Sequence, residues 1–229
     1  MTAVVSKTVA PKMADNSLGS RLLYRFFRRL NVGFCRIWLR MRVEGFENVP
    51  TAGAFVVSPV HRSYVDTPIV AVVTKRRLRY MGKDSLWHVR GLGWLLSSLG
   101  GFPVKRGTAD REALKRCIEV LQGGEPLVLF PEGDRKSGPI VQPLFDGAAF
   151  VAAKAGVGIL PVGIGGSERA MPKNARWIRP RRVHVIIGEL IPPAGAAGDR
   201  VSRAAVKTSS ERLHAELQRL FDLAQAKAG

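Results

Sequence analysis

The sequence predicts an α/β protein: a largely parallel central sheet flanked by helices, preceded by an N-terminal amphipathic helical segment. Three observations carry this. Short runs of apolar, β-prone residues recur along the chain, as at 54–57 (AFVV), 127–130 (LVLF), 158–164 (GILPVGI) and 183–187 (VHVII). Stretches of helical periodicity separate them. The runs show little polar–apolar alternation, so both faces of the sheet are expected to be covered. With 229 residues, 46% of them hydrophobic, the chain can bury one such core.

Residues 1–17 read as a polar, disordered tail. Residues 18–43 carry Arg21, Arg25, Arg28, Arg29, Arg36, Arg40 and Arg42 and no acid. Leu22, Phe26 and Leu30 recur at helical spacing. After a break expected at 31–33, Phe34, Ile37, Trp38 and Met41 continue an apolar face. The pattern predicts two short basic amphipathic helices lying in a membrane interface, where arginines meet headgroups and aromatic rings meet the acyl boundary. The division expected is therefore 1–44, tail and interface helices, and 45–229, the α/β domain.

Residues 43–50 read as a short strand and turn. Strand 54–57 is followed by a helix over about 63–75, then strand 78–81 (LRYM) and mostly helix over 85–99. A short strand at 102–104 precedes a helix at 110–121, with Thr108 as candidate cap and Leu114, Ile118 and Leu121 on one face. Strand 127–130 leads to an alanine-rich helix at 147–155, then to strands 158–164 and 183–187. A helix over 200–226 closes the chain, packing Leu213, Leu217, Leu220, Phe221 and Ala224 on the sheet.

Charge narrows the function. With 36 Lys and Arg against 18 Asp and Glu, the net charge is +18, which calls for an anionic partner: a phosphate-bearing substrate, a membrane surface or nucleic acid. Nucleic acid is disfavoured by the lack of aromatic–basic RNA motifs, zinc spacing or a recognition helix. Cys35 and Cys117 are too few for a disulfide framework or a metal cluster. No run reaches the roughly 18 apolar residues of a spanning helix, and the first residues lack a signal-peptide core. A protein peripheral to the cytoplasmic face of a membrane is expected.

The chemistry concentrates in four stretches. In SPVHRSYVD (58–66) a strand breaks at Pro59, and His61 is followed five positions on by Asp66. An imidazole in a strand-to-helix turn, its tautomer held by a carboxylate, is a candidate general base. In GGFPVKRG (100–107) Lys105 and Arg106 follow a short strand and suit a phosphate. In LVLFPEGDRKSG (127–138) Glu132 beside Gly133 is placed to present a carboxylate to a substrate hydroxyl, and Arg135 and Lys136 add cations. In GILPVGIGG (158–166) Pro161 removes a ladder bond, which suits a site wall or an edge strand. His88, His184 and His214 lie outside these motifs and read as structural or surface residues.

His61-x4-Asp66, GGFPVKRG, FPEGDRKSG and ILPVGI, in this order over about residues 45–190, resemble the four-motif glycerolipid acyltransferase family, which contains the 1-acylglycerol-3-phosphate and glycerol-3-phosphate acyltransferases. The resemblance implies His61 as general base and Asp66 as its orienting acid. It implies Arg106, with Lys105, as the binder of the substrate phosphate, and Arg135 as a second phosphate contact. Glu132 and Gly133 would position the acceptor, and Pro161 would belong to the acyl-donor wall. It further implies acyl-CoA or an acyl carrier protein as co-substrate, a lysophospholipid acceptor, and no metal or other cofactor. Three departures stand out: Val60 replaces the usual Asn before the His, and Asp134 and Lys136 alter the usual FPEGTRS. HRSYVD is similar to the glycerol-3-phosphate branch, so that acceptor or another lysolipid is the alternative, as is a catalytically silent anionic-lipid binder. The oxyanion of the tetrahedral intermediate is expected to meet backbone N–H groups after His61 or a nearby cation. A pocket measuring acyl-chain length is expected near 92–99.

Overall fold

The computed structural model describes residues 18–89, 91–104, 111–197 and 200–229. Lys105, Arg106 and the expected cap Thr108 lie outside the described residues, as does the expected tail at 1–17. Among the described residues the strands are β1 (Arg42–Glu44), β2 (Val56–Pro59), β3 (Arg79–Lys83), β4 (Gly101–Val104), β5 (Leu127–Val128), β6 (Ile159–Gly165) and β7 (His184–Ile187). They form one sheet in the order β1-β7-β6-β2-β5-β3-β4. Every neighbouring pair is parallel except β6 with β7. The α/β class with a largely parallel sheet therefore holds. The sheet begins at Arg42, ahead of the expected boundary at 44/45, because β1 pairs with β7.

The helices are α1 (Leu18–Ile37), α2 (Asp66–Val70), α3 (Leu92–Ser98), α4 (Arg111–Gln122), α5 (Gly147–Ala155), α6 (Ser167–Ala170) and α7 (Arg203–Ala228). They cover the two faces of the sheet. On β3, Tyr80 points into a cavity shared with Tyr24 and Phe27 of α1 and Leu96 of α3. Its neighbour Met81 meets Cys117 of α4, with the two sulfurs 3.4 Å apart. Successive strand residues point to opposite faces, so α1 and α3 lie on one side and α4 on the other. α7 joins α4's side through α5. It packs on β6 at Gly163 and Gly165, where a β-carbon would fall inside the α7 backbone at Leu220 and Ala224. The core is mostly aliphatic, with Ile69, Leu78, Leu127, Leu160 and Ile164 removed from water, joined by Phe55 and Phe221.

Three elements differ from expectation. α1 is one helix, not two: it runs through 31–33 because Asn31 Nδ2 donates to the Pro68 carbonyl (2.8 Å) and Cys35 is buried against the domain. That packing outweighs the roughly 1 kcal/mol that Gly33 costs in a helix interior. The helix expected over 85–99 is a 3-10 turn (Asp84–His88) followed by α3. α2 spans only Asp66–Val70, then tightens into turns in which Val72 N and Val73 N bond the carbonyls of Ile69 and Val70.

Pro161 lies in an interior strand, between β2 and β7, so the edge-strand alternative fails. Its missing N–H falls on the β7 side, where the pairing slips. Val162 pairs with Ile187, but Ile159 pairs with Ile191, which leaves one extra residue opposite Pro161. Proline is tolerated at such a bulge. The Pro161 carbonyl still accepts from Gly188 N, 3.0 Å.

Candidate active site

β2 carries the chain to the carboxyl edge of the sheet. Val60 N donates to the Val162 carbonyl (3.1 Å), and the chain turns at His61. Asp66, the first residue of α2, organises that turn. Its Oδ2 accepts from Arg62 N (2.6 Å), Ser63 N (2.6 Å) and His61 Nδ1 (3.0 Å). A carboxylate can only accept, so Nδ1 carries the proton and Nε2 is the nitrogen left for a substrate. Asp66 is 0% exposed and the His61 side chain 16%. The imidazole stacks on Phe130 with centroids 4.0 Å apart. Since both amides after His61 are engaged by Asp66, they are not free to receive an oxyanion.

Glu132 differs most from its sequence reading. It does not present its carboxylate to solvent; the side chain is fully buried. Arg62 Nη1 donates to both of its oxygens, at 2.7 and 2.8 Å. His61 N donates to Oε1 (3.0 Å) and Gln142 N to Oε2 (3.1 Å). Glu132 therefore clamps the turn that carries the histidine to the loop after β5. Arg62 is the residue sequence reasoning missed. Also buried, it donates to the carbonyls of His61 (3.1 Å), Gly138 (3.3 Å) and Ile140 (3.0 Å), and its guanidinium lies 4.8 Å from the Phe221 ring centroid. Within SPVHRSYVD it stands beside His61 and Asp66 with nothing local to mark it as buried. Its partner lies 70 positions away in the sequence.

The loop after β5 closes over the turn from the other side. Lys136 N donates to the His61 carbonyl, 2.9 Å. Gly133 adopts φ +72°, and a β-carbon there would sit 2.5 Å from the Phe145 ring, so only glycine fits. The Arg135 guanidinium lies 3.4 Å from the Tyr64 ring centroid. The Asp134 carboxyl is held below the usual range by the hydrogen bond from Arg135 N and then by the charges of Arg135, Lys173 and Lys136. Cations from the loops after β5 and β6 therefore gather around Asp134. Pro161 does not join this cluster; it is buried within β6, in register with Ser58.

A cavity of about 340 Å³ opens beside Thr67 and Pro68 and runs between α1 and α3, lined by Phe27, Ala71, Leu96 and Leu99. On the outer face of α1, Leu22, Phe26 and Leu30 are each more than half exposed. Trp38 Nε1 donates to the Ile178 carbonyl (3.0 Å), which ties the end of α1 to the loop carrying Trp177, 83% exposed. Arg21, Arg25, Lys75 and Arg76 line a groove at the opposite, amino edge of the sheet. Among the described residues, no helix is long and apolar enough to cross a membrane, and no His, Cys, Asp and Glu cluster could hold a metal.

Known proteins share this arrangement. A chloroplastic 1-acyl-sn-glycerol-3-phosphate acyltransferase of Arabidopsis thaliana is 32% identical over 143 residues, 61% of this chain and 40% of that protein. A 1-acyl-sn-glycerol-3-phosphate acyltransferase of Bacillus subtilis is 27% identical over 158 residues, 69% of this chain and 76% of the relative. The chain thus spans less than half the length of the chloroplast relative. The crystal structure of the 1-acyl-sn-glycerophosphate acyltransferase PlsC from Thermotoga maritima superposes with a TM-score of 0.72 at 26% identity, over 90% of this chain and 80% of the other. The acyltransferase family model matches residues 40–165, more than half of the chain and the span that holds the His61–Asp66 dyad, Arg62 and Glu132, and the protein belongs to that acyltransferase family.

Proposed function

We propose that the protein transfers a fatty acyl chain from an acyl thioester to the hydroxyl of a lysophospholipid, most directly 1-acylglycerol-3-phosphate, giving phosphatidic acid for phospholipid synthesis. The observation that carries this reading is the dyad: an imidazole oriented by a buried carboxylate, with Nε2 free, at the carboxyl edge of a parallel sheet. An alcohol is too weak an acid to attack a thioester unaided. His61 takes the hydroxyl proton as the C–O bond forms, and Asp66 stabilises the resulting imidazolium. The tetrahedral intermediate collapses with cleavage of the C–S bond, and the imidazolium returns its proton to the departing thiolate. The attacking oxygen belongs to the substrate, so no acyl-enzyme forms.

Arg135 and Lys136, with Lys105 and Arg106, hold the acceptor phosphate, and Glu132 and Gly133 shape the loop that presents these cations. The acyl chain lies in the cavity between α1 and α3. The protein rests peripherally on the cytoplasmic face of a membrane, with the α1 stripe and Trp177 in the interface and the arginines on anionic headgroups.

The test is thiol release from palmitoyl-CoA by wild type and His61→Ala, with lysophosphatidic acid, glycerol 3-phosphate or a larger-headgroup lysolipid as acceptor. Release with lysophosphatidic acid, lowered roughly 10²–10⁴-fold in the variant, is expected. A variant that keeps more than about a tenth of the wild-type rate removes His61 as base. Preference for glycerol 3-phosphate would shift the acceptor, in keeping with HRSYVD.

A further inference from the structure

We propose that Tyr64 is a positioning residue for the acceptor: its ring holds the Arg135 guanidinium with its N–H edge turned out for the acceptor phosphate. This rests on the acyltransferase reading above and on Arg135 as a contact of that phosphate. The Arg135 guanidinium carbon lies 3.4 Å from the centroid of the Tyr64 ring. A cation this close over an aromatic face is held by the ring quadrupole. A guanidinium donates only in its own plane, so a ring against its face leaves every N–H unspent. Among the described residues the Arg135 side chain makes no hydrogen bond or ion pair. Its Nε is buried without a partner, which leaves the two Nη groups as the open edge. Paired N–H groups on such an edge match two oxygens of one phosphate.

The stack joins the two loops that build the site, and both partners stand on fixed backbone. Tyr64 lies in the turn after β2, between His61 and Asp66. Beside it, Ser63 N donates to Asp66 Oδ2 (2.6 Å), while Ser63 Oγ donates to the Met171 carbonyl (2.8 Å) and accepts from Val65 N (3.3 Å). Arg135 lies in the loop after β5. Its N donates to Asp134 Oδ1 (2.7 Å), and the next residue, Lys136, donates its N–H to the His61 carbonyl (2.9 Å). The backbone that carries the guanidinium is therefore fastened to the residue that takes the hydroxyl proton. The Tyr64 side chain is 52% exposed, so core packing does not account for its place. What the ring competes with is Asp134, which stands in the place of the usual threonine. That carboxyl is held below its ordinary range by the Arg135 N–H and then by the Arg135 charge. The two side chains nonetheless form no ion pair among the described residues. Without the ring, the guanidinium would fold back on its neighbour and each acceptor would have to draw it off. Held on the ring, it is already ordered when the phosphate arrives.

The test is a double-mutant cycle on Tyr64→Leu and Arg135→Lys, with Tyr64→Phe as the rescue variant. Leucine keeps an apolar side chain without a π face, and lysine keeps the charge without a planar fork. KM is measured for lysophosphatidic acid and for palmitoyl-CoA, and binding of decyl phosphate, an unreactive phosphomonoester, is measured by calorimetry. Tyr64→Leu is expected to raise the KM for lysophosphatidic acid and the Kd for decyl phosphate roughly five- to tenfold. The KM for palmitoyl-CoA and the melting temperature should not change, and Tyr64→Phe should stay within about twofold of wild type. In the Arg135→Lys background Tyr64→Leu should add less than about twofold. Five results would each overturn the proposal: no binding of decyl phosphate by wild type, an unchanged acceptor KM in Tyr64→Leu, a phenylalanine variant as impaired as the leucine variant, equal rises in KM for both substrates, or a full Tyr64→Leu effect without Arg135. Calorimetry needs no turnover, so the stack and the reaction fail separately. Decyl phosphate binding that follows the cycle, with no transfer to any acceptor, would uphold the stack and refute the reaction. Transfer to lysophosphatidic acid that is indifferent to Tyr64 would do the reverse.

Discussion

At the scale of single residues, the site is built on two buried carboxylates, each fixed by several hydrogen bonds. Asp66 spends one oxygen on the imidazole and two backbone amides, and Glu132 spends both on Arg62, His61 N and Gln142 N. Neither carboxylate is exposed, and Asp66 holds the histidine's Nδ1. Glu132 holds the turn that carries His61, through His61 N and Arg62. Replacing it tests this. Glu132→Gln leaves the Arg62 guanidinium buried without its counter-charge and is expected to cost about 3 kcal/mol of stability. The measurement is the urea midpoint at constant m-value, and an unchanged midpoint would show that the clamp holds nothing. The dyad was legible in the sequence because its partners are five positions apart. The clamp was not, because Arg62 and Glu132 sit in the loops that follow two different strands, and only the β2–β5 pairing brings those loops together.

At the scale of elements, α1 does two jobs with two faces. Its inner face is fastened to the domain: Tyr24 Oη donates to the Arg76 carbonyl (3.2 Å), Arg28 Nη2 to the Thr74 carbonyl (2.9 Å) and Asn31 to Pro68. Its outer face leaves Leu22, Phe26 and Leu30 in solvent. If this stripe is the membrane contact proposed above, Phe26→Glu is expected to weaken binding to anionic vesicles about tenfold and to leave the melting temperature unchanged. Co-flotation and thermal melting read the two effects separately. A lowered melting temperature would instead mean that the stripe packs within the protein. The helical spacing and the single-signed charge announced this face in the sequence. The continuity of the helix was not announced, because Asn31 and Gly33 are locally poor helix formers and their support comes from α2.

At the scale of the whole molecule, the two cysteines report on the two helical layers. Cys35 sits on the α1 side and Cys117 on the α4 side, and burial pushes each thiol from its ordinary value of 9.0 up to about 12. A raised folded value favours the protonated thiol. The associated stability is therefore present below about pH 9 and lost as pH rises towards 12. At pH 8 neither thiol is expected to react with an aromatic disulfide reagent until urea unfolds the chain. Rapid labelling of one thiol in native protein would identify the layer that opens. The sequence by itself determined the class of fold, the order of most elements, the dyad and the charge of the partners. Each of these is written in local periodicity, in short spacings or in composition. Only the tertiary structure decided that Glu132 pairs with a buried Arg62 and that Pro161 sits at a bulge inside the sheet. Those facts depend on which strands lie side by side, and strand order is a property of the packed chain that no local stretch encodes.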